Sequence, residues 1–248
     1  MQLGTSSDEG EKENHKGKAK SVAPSREILT SVLNICAITD IAGTLMTMKT
    51  PSLSLGRKSV VEFGWVVGLP TDSSGKALTA TEQYFHVKYA PEGREDATGG
   101  DTVAGKQAIF HRPASSGIYA LICNLDLYRI GRNDITRHYV VAKANREKRA
   151  RVLIEALAST LLKPIGAQRN TQNPHLVACE GAIAFSSSSL PAPTVSPLND
   201  NYRTQLIEIA KVLNGVIPNS IQVQEFATFA KGIEILADIS KGLTLTES

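Results

Sequence analysis

A chain of 248 residues, 42% hydrophobic and 21% charged, carries enough apolar material for one large domain or two small ones. Its formal charge of +3, from 27 Lys/Arg against 24 Asp/Glu, is too mild for bulk charge alone to announce a polyanionic partner. No apolar run approaches membrane-spanning length and the start lacks a signal-peptide hydrophobic region, so the expectation is a soluble cytoplasmic protein with no membrane partner.

In chain order, residues 1–26 are polar and nearly charge-balanced, and the reading is a mobile tail that cannot offset its ordering entropy. The folded part then runs from 27 to 248 as one domain. Ile28, Leu29, Val32, Leu33 and Cys36 recur at helical spacing, with Ser25 as a candidate cap. After a turn at Asp40–Gly43, Val61, Phe63, Trp65 and Val67 fall on one face of a strand over Ser59–Val67. Leu69–Thr81, with its Pro, Asp, Ser and Gly, reads as a hairpin-like excursion. The next strand, Gln83–Tyr89, sets Tyr84, His86 and Lys88 on the face opposite Phe85 and Val87. A Gly-rich, charged stretch, Pro91–Gly105, follows it.

Ile118–Tyr128 alternates strictly through Tyr119, Leu121, Cys123, Leu125 and Leu127, the clearest strand signal in the chain. The clearest helix is Asn145–Leu162, where Ala150, Leu153, Ile154, Leu157 and Leu161 form one apolar stripe and Asn145 is a candidate cap. Pro164 and Gly166 end it. Val177–Phe185 reads as a buried strand, Ser186–Pro197 as a loop, and Tyr202–Leu213 and Gln224–Ile239 as closing helices. Strands and helices mix without regular alternation, which points to an α+β fold, an antiparallel sheet with helices on one face.

Enzyme signatures are thin. The five histidines form no HExxH and no helical pair, and no GxSxG or Walker lysine loop occurs. Asp126, with Asn124 as its polar neighbour on the strand, fits a structural carboxylate better than a general base. Cys36, Cys123 and Cys179 are far apart, giving neither a CxxC pair nor a disulfide framework, and read as buried free thiols of a reducing compartment. The expectation is a protein with no catalytic residues, no metal and no cofactor.

Binding features are richer. Gly166–His175 leaves a helix end with Arg, amides and a His and almost no carboxylate, a composition that suits phosphate and sugar oxygens or a plain polar connector. Lys49, Arg57 and Lys58 flank a Thr/Ser/Pro loop just before the first strand, and His111 and Arg112 precede the central one. Tyr84 and His86, beside Lys88, could stack on bases while the amine meets phosphate. Between Arg129 and Arg151 stand eight Lys/Arg against Asp134 and Glu147, whereas from Glu180 onward acidic residues predominate. Arg146, Lys148, Arg149 and Arg151 sit where the helix dipole disfavours cations, which hints at an external anion.

Six strings in order resemble one known family: Thr39–Met46, Arg57–Phe63, Glu82–Lys88, Ser115–Tyr119, Ile165–Asn170 and Ser196–Tyr202. Together they are similar to the CRISPR-associated Cas-seven group, in its DevR-like autoregulator branch. The resemblance implies an RRM-like (ferredoxin-like) core and a long hairpin thumb, here about 67–108. It implies a non-catalytic subunit that coats crRNA as the repeating backbone of a type I Cascade antiviral complex. Its partners would be crRNA, other copies of itself, other Cascade subunits and, through the assembled complex, target DNA.

By the same resemblance Gly166, Gln168, Arg169 and Asn170 form the glycine loop along the crRNA backbone. Arg57 and Lys58 stand at the basic entry to the thumb and His111 and Arg112 at its exit. Family members usually open with a strand, a polar loop and a helix that this order of strings lacks. The chain is therefore expected to be N-terminally shortened, with a sheet edge left exposed. The alternative is a metal-dependent endoribonuclease like the type III relatives, for which Asp40 and Asp72 are the loop carboxylates present.

Overall fold

The computed structural model describes residues 14–48, 53–72, 74–88, 108–163 and 175–245. They divide into two compact units: one holds the described residues within 1–64, 123–195 and 200–248, the other those within 65–122 together with 196–199.

The first unit opens with helix α1 (Asn14–Ile35), the short helix α2 (Ala37–Ala42) and a two-stranded ladder of β1 (Thr44–Met48) and β2 (Leu53–Arg57). Residues 14–26, expected as mobile tail, are the first half of α1. Lys16, Lys18, Ala19 and Lys20 are good helix formers, and the helix propagates backward from its buried second half, where Leu29 and Leu33 are fully enclosed. The expected cap Ser25 lies inside this helix and is buried. The turn expected at Asp40–Gly43 is instead α2 closed by Gly43, whose φ of 76° suits glycine.

Strand β3 (Val61–Phe63) pairs antiparallel with β8 (Cys123–Leu125), and a 3-10 turn at Leu127–Arg129 follows. Helix α3 (Lys143–Leu162) is the spine of this unit. Ala150 and Leu153 pack with Val60 and Ile130, while Ile154 and Leu157 pack with Leu236. Each large side chain buried in this way contributes about 1.5–3 kcal/mol. A third cluster joins Leu29 and Leu33 to Leu55 and Val141. Asn145 lies in the first turn and Ala142 is the cap, without a side-chain bond.

The unit closes with β9 (Gly181–Ser186), helix α4 (Tyr202–Val216), β10 (Ile221–Phe226) and helix α5 (Phe229–Gly242). β9 and β10 pair antiparallel, Gly181 opposite Phe226. Gln224, expected to open a helix, is in β10. The helix starts five residues later, where Thr228 caps it by accepting from the Lys231 N–H at 3.2 Å. Val177, expected in a buried strand, is 93% exposed.

In the second unit β4 (Val67–Gly68) pairs with β7 (Tyr119–Ala120), and β5 (Thr79–Lys88) pairs with β6 (Ala108–Gly117) over ten residues. Between β4 and β5 the expected hairpin excursion is present, bridged at Thr71 and Ala77. Gly117 (φ 147°) is required at the ladder base, since a Cβ there would lie 2.3 Å from the Leu78 carbonyl oxygen.

Two long sequence alternations are each divided. Ser59–Val67 becomes β3 and β4, and Ile118–Tyr128 becomes β7, β8 and the 3-10 turn. Their halves pair within different units, so one periodic face is shared by two sheets and Trp65 at the break is 92% exposed. The architecture is α+β. Among the described residues the strands form five separate two-stranded antiparallel sheets rather than one continuous sheet.

Candidate nucleic-acid interface

The densest polar structure in the first unit is internal. Asp40, fully buried on α2, accepts from Arg57 Nη2 at 2.8 Å, from Arg149 Nη1 at 2.8 Å and from the Gly131 N–H at 2.8 Å. Arg57 completes its shell with the Arg129, Arg132 and Asp40 carbonyls and with Asp134 at 2.7 Å. Arg149 also donates to the Leu33 and Asn34 carbonyls, which closes the C-terminal end of α1. Gly131, at φ 70°, leaves room for this: a Cβ there would meet the Val141 Cβ at 2.7 Å.

Arg57 was the expected cationic entry to the thumb, exposed to RNA. It is 3% exposed, because its guanidinium neutralises a carboxylate buried on another element. Three of the four cations at the start of α3 are likewise engaged within the unit, and Lys148 is exposed. Arg146 stacks over the Tyr139 ring at 3.7 Å, Arg149 binds Asp40, and Arg151 donates to the Ser240 and Leu243 carbonyls. Sequence reading missed this. The available signal was Asp40 itself, a lone carboxylate in the apolar run Ala37–Ala42, where burial requires a charged partner.

Of the remaining expected contacts, Lys58 is exposed and paired with Glu62 on the same short segment. Lys49, Gly166, Gln168, Arg169 and Asn170 lie outside the described residues; His175, at the end of that loop, is exposed. His86, Lys88, His111 and Arg112 are brought together by the β5–β6 ladder. Its register sets Tyr84 opposite Arg112, Phe85 opposite His111, His86 opposite Phe110 and Lys88 opposite Ala108. With a side-chain period of two, positions 84, 86 and 88 share a face with 108, 110 and 112, and 111 belongs to the other face with 85. Arg112 thus joins the Tyr84–His86–Lys88 face, and His111 leaves it.

The two carboxylates considered for metal chemistry have other partners. Asp40 is enclosed as described. Asp72 Oδ1 accepts from Ser74 Oγ at 2.6 Å and from the Ser74 and Lys76 N–H groups at 2.9 Å. These bonds, the Ser74 hydroxyl first, hold its pKa below the ordinary aspartate value. Among the described residues no three His, Cys, Asp or Glu side chains group as metal ligands.

The three cysteines are free and half-buried. Cys36 Sγ accepts from Thr39 Oγ1 at 3.2 Å and from the Thr39 N–H at 3.4 Å, which lowers its pKa. Burial pushes Cys123 up to about 11.

A family model described as "CRISPR-associated negative auto-regulator DevR/Csa2" matches residues 2–206. Among solved structures, a chain of a "CRISPR RNA-guided surveillance complex, pre-nicking" is similar at 13% identity and a TM-score of 0.43. That similarity covers 92% of this chain and 64% of the other, so the chain spans about 64% of that relative's length. No curated protein matches.

Proposed function

The chain belongs to the CRISPR-associated negative auto-regulator DevR/Csa2 family, and from that premise we propose that it is a non-catalytic subunit that coats crRNA within a CRISPR effector complex of the Cascade type. The observation that carries the proposal is the β5–β6 register, which collects Tyr84, His86, Lys88 and Arg112 on one face of a ten-pair ladder. An aromatic, an imidazole and two cations at neighbouring register positions of one ladder suit single-stranded RNA, with bases stacking and phosphates neutralised. In this reading the stretch of about 67–108 is the thumb, and Gly166–Asn170 is the glycine loop along the RNA backbone. The helices and antiparallel strands would belong to an RRM-like core, with other copies and other Cascade subunits as partners.

Contacts of this kind read charge and not sequence, so binding is nearly sequence-independent and strongly salt-dependent. Fluorescence anisotropy with two unrelated single-stranded RNAs of equal length tests this. Similar affinities are expected, and the Lys88→Ala/Arg112→Ala pair should lower the log K against log salt slope by roughly 0.7 per cation removed. Absence of RNA binding, or strict sequence dependence, overturns the proposal. Incubation with complementary RNA and Mg²⁺ supplies the second arm: intact RNA is expected, and regularly spaced cuts would establish the nuclease reading instead.

A further inference from the structure

The β5–β6 ladder leaves one conspicuous cationic feature of the first unit unused. Between Arg129 and Arg151 the internal partners divide the charges unequally. Asp134 is turned to Arg57 and Arg129, and Glu147 accepts from the Leu245 N–H at 3.1 Å. Both carboxylates of the segment are therefore engaged with residues of the interior. At the turn between Arg132 and Tyr139 two guanidiniums and an imidazole have no carboxylate partner among the described residues: Arg132, Arg137 and His138.

This turn is tied together by hydrogen bonds. Arg132 bridges Tyr139, the Asn133 N–H donates to the His138 carbonyl at 2.9 Å, and the Arg137 N–H donates to the Asn133 carbonyl at 2.8 Å. Asn133, fully buried, anchors the base. Its Nδ2 donates to the Arg26 carbonyl and Thr30 Oγ1 on α1, and its Oδ1 accepts from the Ile135 and Thr136 N–H groups. Arg132 Nε donates to the Arg137 carbonyl at 2.8 Å, which draws the two arginines together. Arg137 and His138 are both exposed.

The tip is also strained. Arg137 has φ 64°, one of two non-glycine residues in the left-handed region among those described. Glycine or asparagine occupies that region at lower cost, so an arginine there gives up local stability without a folded-state partner in return. Backbone strain kept at an exposed cation is a feature that functional sites share.

We infer that the Arg132–Tyr139 turn is a second phosphate-contacting element, in which Arg132, Arg137 and His138 grip the backbone of a nucleic acid. It rests on the proposed function in taking RNA as the polyanion, and it adds a contact that neither the glycine loop nor the thumb supplies. The turn has no exposed Phe, Tyr or Trp at its tip, so its contribution is chiefly to phosphates and should be nearly equal for all sequences.

The test is RNA anisotropy and thermal melting on the full chain with Arg137→Gly, Arg137→Asn and Arg137→Lys. Glycine and asparagine accept the backbone conformation and remove the cation. Both should raise Tm while weakening RNA binding on the order of fivefold and lowering the salt slope by roughly 0.7. Lysine keeps the charge and should hold affinity within about twofold of the unaltered chain. A merely structural arginine would give the rise in Tm with no change in binding, and that result overturns the inference while leaving the proposed function standing. If the unaltered chain binds polyglutamate and not RNA, or binds no RNA at all, both fall.

Discussion

Arg149 reaches from the second turn of α3 to the Asp40 carboxylate of α2 at 2.8 Å, across 109 positions of sequence. The contact ties the spine helix to the end of α1, because the same guanidinium holds the Leu33 carbonyl at 2.7 Å. Arg57 occupies the other carboxylate oxygen, and the arrangement leaves Asp40 with a cation on each side and a backbone N–H between. A buried charge surrounded in this way is strongly dependent on its complement.

Asp40→Asn should therefore be severe. The amide keeps an acceptor but removes the charge that two enclosed guanidiniums face, and loss of one partner in such a cluster costs about 3–5 kcal/mol. Urea unfolding of the purified chain measures it through the midpoint shift. A change below about 1 kcal/mol would show that the cluster is positional and not energetic.

Thiol reactivity should follow the two opposite cysteine environments. Hydrogen bonds from Thr39 lower the Cys36 pKa, whereas burial raises Cys123 to about 11. At pH 8 only about a thousandth of Cys123 is thiolate. Iodoacetamide followed by mass spectrometry should label Cys36 first and Cys123 last in the native protein. Denaturant should erase the order, and equal native rates would contradict it.

Asp72 makes the tip of the β4–β5 connection acid-sensitive. Its folded pKa is depressed by the Ser74 hydroxyl and the Lys76 N–H, so its stabilising contribution is present above the unfolded aspartate value and is lost as pH falls through the lower folded value. Carboxyl titration by NMR should place Asp72 below the ordinary aspartate value, and amide exchange at Gly75 and Lys76 should quicken in that acid window. In Asp72→Asn the exchange should lose its acid dependence.

Much of the fold is legible in the residues alone. The α3 stripe of Ala150, Leu153, Ile154 and Leu157 is buried as its spacing required, because a stripe of that width on a long helix has one way to leave water. The Leu69–Thr81 excursion and the Ser186–Pro197 loop were likewise marked by local turn chemistry. What misled was periodicity that continued across a change of partner. Ser59–Val67 alternates without a break in residue type, yet Val61–Phe63 pairs with β8 and Val67–Gly68 with β7. The β10 strand was hidden inside a segment whose Ile and Phe positions also fit a helix.

The proposed RNA-facing ladder divides the same way. Local sequence was enough to place Tyr84, His86 and Lys88 on one face, since alternation is a property of the strand itself. The addition of Arg112 and the departure of His111 depended on the cross-strand register, which no single strand carries.

Composition and order by themselves determined the α+β class, the spine helix and the family resemblance, all of which rest on residue types read over short windows. Which cations face outward was decided only in three dimensions. The count of eight basic residues between Arg129 and Arg151 is local, but their partners are not: Asp40 lies 91 positions before Gly131 and 109 before Arg149, and Leu243 lies 92 after Arg151. Ion pairs form wherever folding brings opposite charges into a dry interior. The chain's external charge is therefore what remains after the tertiary contacts are made, and here that remainder includes the Arg132–Tyr139 turn.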